Sequence, residues 1–342
     1  MQHVAIDLGG RESQICVRGP DGTVKQESRW PTRHLARFLA SQEPSRVVVE
    51  TTAEAFRVAD VALAAGHEVR VVPATLVRSL GVGARGIKTD LRDARALSAV
   101  SCRIDLPSVH IPSARSRELK AICGSREILV EQRTKLVNHV RGWLRQHLIQ
   151  IGGGSTKTFA RRARAKLSAA GVPPHVERIL TSIELVTEQI NEATKELEAI
   201  AKADPVCRRL MSVPGVGPVT ATRFVAALDS HVRFASAHAV EAYLGLTPGE
   251  DSSSSRQRRT GLTKAGPPRV RWALVQASWS AWRTRPGDPM VRWAQQVALR
   301  RGRNIAIVAL ARKMAGILFA LWRDEATYDP HRGAARLGPA PD

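Results

Sequence analysis

The chain has 342 residues, 43% of them hydrophobic and 24% charged, a balance that excludes a disordered tail and predicts a globular protein of two or three domains. Its 52 lysines and arginines exceed its 31 acids by 21, and the surplus grows along the chain, from +3 over residues 1–110 to +6 over 111–205 and +12 over 206–342. Such a field favours a polyanion, nucleic acid or an anionic membrane surface, and Cys16, Cys102, Cys123 and Cys207, scattered without a CxxC pair, exclude a disulfide framework and a structural zinc site.

Residues 1–110 read as an α/β domain. Val4-Ala5-Ile6 is a short strand, followed by strands at Gln14–Arg18 and Thr23–Gln26 joined through Pro20-Asp21-Gly22, a hairpin signal. A helix at His34–Ala40, a fully buried strand at Arg46–Glu50, a helix at Ala53–Ala65, a strand at Glu68–Val72 and a helix opening at Asp90 follow. Three hairpin strands and then alternating helices and strands is the order of a ribonuclease-H-like fold.

Residues 111–205 form an arm. Leu119, Ile122, Arg126, Leu129, Arg133, Leu136, Val140 and Trp143 step by three and four, a heptad seam carrying two arginines. Ile179, Ile183, Val186, Ile190, Ala193, Leu197 and Ile200 repeat the pattern. Between them lie Gly152-Gly153-Gly154 and the basic run Arg161–Lys166, so two antiparallel helices of a coiled coil, with a Gly-rich basic linker, are expected. The first seam would extend roughly 37 Å and offers a contact surface to a second chain.

Residues 206–326 read as mostly helical. Val213-Pro214-Gly215-Val216-Gly217-Pro218 before Thr220–Leu228 has the form of a helix-hairpin-helix, whose second helix can bind a phosphate. A Ser-rich basic loop spans Asp251–Thr263, and two or three helices end near Trp322. Ala306–Trp322 is the longest apolar stretch, and Arg312 and Lys313 within it are expected to rule out a membrane span. Residues 327–342, rich in Pro, Gly and Arg, read as a disordered tail. With no basic-then-apolar leader, a cytoplasmic setting is expected.

Four carboxylates stand where chemistry is possible. Asp7 and Glu50 end strands, and Asp90 and Asp93 are three apart at a helix start, facing one side. Converging carboxylates repel unless a divalent cation neutralises them, and hard oxygen ligands suit Mg2+. Singly, Asp90 reads better as a charge stabilising the helix dipole. Asp7-Leu8-Gly9-Gly10 also occurs in phosphate loops of sugar kinases and actin, but those need a second Gly-rich strand-loop, and here a helical arm follows. In the second cluster, Ser252–Ser255 precede Arg256, Arg258 and Arg259: a hydroxyl able to attack phosphorus beside guanidinium forks able to bind its oxygens, or simply a polar linker.

Taken together, Ile6-Asp7, Val49-Glu50-Thr51, Lys88-Thr89-Asp90-Leu91-Arg92-Asp93-Ala94-Arg95, Pro214-Gly215-Val216-Gly217, Ala242–Pro248 and Thr263-Lys264-Ala265-Gly266 with Arg271 resemble the DEDD-type transposases of insertion-sequence family 110, relatives of the Piv/MooV DNA invertases. The resemblance implies a RuvC-like domain whose Asp7, Glu50, Asp90 and Asp93 bind Mg2+, a coiled-coil arm, and a transposase domain with a nucleophilic serine. It implies a site-specific recombinase that joins donor and target DNA through a phosphoserine and a four-way junction, guided by a structured non-coding bridge RNA. The family's serine lies five residues after the Gly-Leu-Thr-Pro proline, which here is Ser253. Ser254 stands where a glycine is usual, so Ser252 and Ser254 stay open, and Pro267-Pro268 replaces the usual Gly-Asn. Arg256, Arg258, Arg259, Lys264, Arg271 and the linker's Arg161, Arg162 and Arg164 are the expected nucleic-acid contacts. A homo-oligomer is expected, the acids of one protomer serving the serine of another. A RuvC-like Holliday-junction nuclease and a catalytically silent nucleic-acid-binding protein are the alternatives.

Overall fold

Val4-Ala5-Ile6 and Val47-Val48-Val49 are too short for helices and too apolar for an edge, and they become the central strands of a five-stranded sheet. A computed structural model describes residues 1–79, 90–168, 171–250 and 259–331 and divides into two units, Met1–Pro112 and Ser113–Asp342. In the first, β1 (His3–Asp7), β2 (Glu12–Arg18), β3 (Val24–Pro31), β4 (Arg46–Glu50) and β5 (Glu68–Val72) lie in the order β3-β2-β1-β4-β5. β1 is antiparallel to β2 and parallel to β4, which is parallel to β5. β3 is longer than expected: Glu12 pairs with Pro31 across the hairpin, so backbone pairing extends a strand that has no apolar run to mark it.

Strand alternation divides the sheet's two faces. Val4, Ile6, Val47 and Val49 pack under α1 (Leu35–Ala40) and α2 (Ala55–Ala64), whereas Ala5, Val48 and Val72 pack with Val77 and Leu97. Val77 belongs to a helix that the sequence reading did not anticipate, α3 (Ala74–Ser79), and Leu97 to α4 (Asp90–Arg103).

In the second unit α5 (Ala114–Gln146) runs antiparallel to α7 (Pro174–Ala203), with α6 (Phe159–Leu167) between them in sequence. α5 is capped by Ser113, whose Oγ accepts from Ser116 N. The contact line between the long helices is offset from the expected one. Cys123, Val137 and Leu144 are buried where Ile122, Leu136 and Trp143 were expected, and Thr187 is buried where Val186 was. Arg126 and Arg133 keep their expected places on the line, Arg126 Nε donating to Thr194 Oγ1 at 2.8 Å. The basic run is not a loose linker either: it forms α6, which buries Phe159, Ala160, Ala163 and Leu167.

Beyond the arm, α8 (Pro205–Leu210), α9 (Pro218–Leu228), α10 (Ala237–Tyr243), α11 (Pro268–Thr284), α12 (Pro289–Arg301) and α13 (Arg303–Arg323) close a second core that also contains Leu119 and Ala201 of the arm. The turn between α8 and α9 lies against α11: Gly215 has φ +84°, and a Cβ there would stand 2.1 Å from Ala277 O. By length and mean hydropathy (1.8) α13 could cross a membrane, so Arg312 and Lys313 do not by themselves exclude a span. Its packing identifies a core helix, with Leu310, Met314, Leu318 and Phe319 buried. Arg312 Nε donates to Glu241 at 2.6 Å, and Lys313 lies over the Trp293 ring. The start of the expected disordered tail is held in place, Tyr328 donating through N to Ser212 Oγ and through its hydroxyl to Asp288. Residues 332–342 lie outside the described residues.

Candidate functional site

The acidic residues occupy one edge of the sheet. Ile6 pairs with Val49 in parallel register, so Asp7 and Glu50 follow at the carboxyl ends of adjacent strands. By alternation they share the face of Ala5 and Val48, over which α4 packs. Three contacts orient that helix. His3 Nδ1 hydrogen-bonds Ser101 Oγ at 2.8 Å, Ser98 Oγ meets Cys16 Sγ at 3.2 Å, and Arg95 pairs with Glu27, whose carboxyl it holds below the usual range.

Because Cys16 is opposite Ala5 in the sheet, α4 descends from the carboxyl ends of the strands toward their amino ends. Ser101 to Asp93 is about 12 Å of helix and His3 to Asp7 about 13 Å of strand, which draws Asp93 level with Asp7. Asp93 is half-buried. Position 90 is one turn earlier, and its side chain lies outside the described residues. Among the described residues no three His, Cys, Asp or Glu side chains are gathered closely enough to hold one metal ion. The expected convergence is therefore not seen for Asp7, Glu50 and Asp93 among the described residues. Their all-carboxylate donor chemistry fits a hard divalent ion.

The second locus is the base of a two-stranded hairpin, β6 (Pro248–Glu250) and β7 (Arg259–Leu262). The loop expected over Asp251–Thr263 is thus shorter, since its last residues pair with β6. Two separate sequence blocks interlock beneath it. Thr263 N donates to Thr247 O and Lys264 N to Gly245 O. Gly245 and Gly266 both have φ +64°, and a Cβ on Gly266 would lie 1.9 Å from Tyr243 O. No side chain fits between these backbones, which explains the glycines of Gly-Leu-Thr-Pro and Lys-Ala-Gly.

Arg271 is tied into the same joint: its Nη1 donates to Leu244 O at 3.0 Å and Ala265 O at 2.5 Å. This argues against the expected nucleic-acid contact, because the guanidinium is engaged in holding the two blocks together. Lys264 is exposed, with φ +53°. Ser252, Ser253, Ser254, Arg256 and Arg258 lie outside the described residues, as does the side chain of Arg259, whose backbone pairs with Glu250.

The linker arginines also divide. Arg161 is exposed on α6. Arg162 donates to Gly152 O and Ser155 O, and Arg164 bridges Glu177 and Glu184, which hold it firmly protonated. Arg162 and Arg164 therefore fold the tip of the arm, a use that a run of basic letters does not reveal. The sequence reading missed Arg300, Arg301 and Arg303, all exposed at the α12–α13 turn. The available signal was arginine on both sides of Gly302, a helix breaker.

Residues 4–149 match a family profile of IS110-type DEDD transposases, and residues 207–293 match the profile of the transposase IS116/IS110/IS902 family. The transposase for insertion sequence element IS1111A of Coxiella burnetii is 30% identical over 248 residues, covering 70% of this chain and 68% of that protein. The transposase for insertion sequence element IS1328 of Yersinia enterocolitica is 26% identical, covering 93% and 96%. A probable family 20 transposase of Pseudomonas aeruginosa is 29% identical, covering 96% and 99%.

Proposed function

The chain belongs to the IS116/IS110/IS902 family of transposases, and from that premise we propose that it is an RNA-guided site-specific recombinase that cuts and rejoins donor and target DNA through a serine-linked intermediate. The observation that carries this reading is the glycine-to-carbonyl interlock of Leu244–Pro248 with Thr263–Gly266. It fixes the two ends of the serine-bearing hairpin on a helical scaffold, as a nucleophile needs. Ser253 Oγ attacks the phosphodiester; the Oγ–phosphorus bond forms as the bond to the leaving deoxyribose oxygen breaks, and that oxygen takes up a proton. Asp7, Glu50, Asp90 and Asp93 would hold Mg2+. When bound, the ion neutralises charge on the phosphate. The rising basic surplus supports binding to both DNA and a structured bridge RNA, and the arm supports a homo-oligomer.

Trapping tests the serine. End-labelled DNA carrying the element's junction, incubated with protein and Mg2+ and run on a denaturing gel, is expected to give a protein–DNA adduct that Ser253→Ala abolishes while the protein stays folded. An adduct surviving in each of the single alanine variants of Ser252, Ser253, Ser254 and Ser255 would refute the serine-linked step.

A further inference from the structure

Beside the hairpin lies a groove that the reading above does not use. It has a volume of about 500 Å3, within the range of small-ligand sites. Its floor is apolar, formed by Pro248 and Leu262 of the hairpin and by Ile305 and Val308 of α13, and Arg301 and Asn304 stand on its rim. Ile305 is 50% exposed, an uncovered apolar surface where α13 begins. Beside it the α12–α13 turn carries Arg300, Arg301 and Arg303, all exposed. Among the described residues none of the three side chains makes a hydrogen bond or an ion pair. Other arginines of this unit are engaged: Arg312, which also lines the groove, pairs with Glu241, Arg269 with Glu127 and Glu131, and Arg209 with Glu325.

An apolar slot edged by an amide and unpaired guanidinium groups has the chemistry of one partner in particular. A flat base is apolar on its faces and carries hydrogen-bonding groups on its edge, and its flanking phosphates are anionic. An acidic peptide would meet the arginines but leave the apolar floor uncovered. A lipid chain would use the floor but waste Asn304.

We propose that this groove is a nucleotide site, which takes one unstacked base of a DNA strand against Ile305, Val308 and Leu262, with the neighbouring phosphates on Arg300, Arg301 and Arg303. The proposal rests on the DNA-acting part of the function above and not on the serine step. Since β6 and β7 form one wall of the groove, a base lodged there would hold its strand against the hairpin.

The test is binding without cleavage. The Ser253→Ala protein is titrated with a fluorescein-labelled single-stranded oligonucleotide, and with the same strand made fully abasic, at several salt concentrations. The normal strand is expected to bind about tenfold tighter than the abasic one, since a stacked base contributes on that scale. Ile305→Asn, at a half-exposed position, should remove that preference while leaving affinity for the abasic strand unchanged. Arg303→Ala should keep the preference and reduce the log–log salt slope by about 0.7, one phosphate's worth on a single strand. Thermal melts of both variants report folding, and Val308→Asn serves as a second groove variant should Ile305→Asn unfold.

Equal binding of normal and abasic strands by the parent protein overturns the proposal. So does an unchanged preference in a folded groove variant. If Ile305→Asn instead abolishes self-association in sedimentation and leaves DNA binding intact, the groove is a contact between copies of the chain and the proposal fails. None of these readouts depends on the serine, so failure here and failure of the adduct assay are distinguishable.

Discussion

Arg133→Leu is expected to stabilise the protein. Arg133 sits on the contact line between α5 and α7 with 9% of its surface exposed, and its Nε and Nη1 have no hydrogen-bond partner. Thr187, also buried on this line, already donates its hydroxyl to Ile183 O at 2.7 Å. Burial, reinforced by the positive Arg126 one heptad away, pulls the Arg133 guanidinium below its ordinary pKa. Two unpartnered buried donors cost about 1–3 kcal/mol each, part of which is offset by the packing of the arginine stem. Replacing buried ionic groups by apolar ones of similar volume commonly gains about 1–4 kcal/mol. A gain near 2 kcal/mol follows, which for a unit of this size raises the midpoint by about 4–8 °C. The assay is a thermal melt of the full chain followed by circular dichroism. Arg126→Leu is the internal control and should gain little, because it removes the 2.8 Å bond to Thr194. An Arg133→Leu midpoint lower than that of the parent would refute the reasoning, by showing that the guanidinium has a stabilising partner in solution.

Two further outcomes follow from the sites. Gly266→Ala should lower stability by more than 2 kcal/mol and abolish cleavage, because φ +64° and the 1.9 Å approach to Tyr243 O leave a methyl group no room; a urea midpoint within error of the parent's would show that the joint opens freely. Asp7→Asn and Glu50→Gln should each abolish Mg2+-dependent cutting, and chelation of the metal should do the same, while affinity for DNA stays within about threefold by filter binding. Cutting by either variant at the parent's rate would remove that carboxylate from the site.

The first unit was largely legible in the sequence, because its signals are local. Val47-Val48-Val49 announces a strand covered on both faces, and Pro20-Asp21-Gly22 announces the hairpin, in which Gly22 takes φ +82°. The order of Asp7, Glu50 and Asp93 along a shared edge follows from those elements. Local pattern says less about which partner a polar group finds. The arm's contact line lies one residue away at alternate positions, and Arg126 finds Thr194 on the other helix, choices made between helices and not within one. Arg164 and Arg271 look identical to Arg161 as letters; only tertiary contacts separate the first two, with their carboxylates and carbonyls, from an arginine left in water. β7 was equally hidden, since Arg259–Leu262 carries no alternation and is a strand only because β6 lies beside it.

The arm has a consequence for how the chain is made. The tip core, in which Val137, Val140 and Leu144 meet Phe159, Ala163, Leu180 and Ile183, is closed by residues that follow one another within a short stretch of chain, and such local contacts form fast. Leu119 and Ala201, near the other end of the two long helices, belong to the core completed only by α13. During synthesis, roughly 120 residues separate the end of α7 from the end of α13, about 6–24 s of translation. The helical pair therefore stands assembled at its far end while its near end still waits for its neighbours. It serves as a template on which the later helices order themselves, and its early apolar surface is the part of the nascent protein most in need of a chaperone.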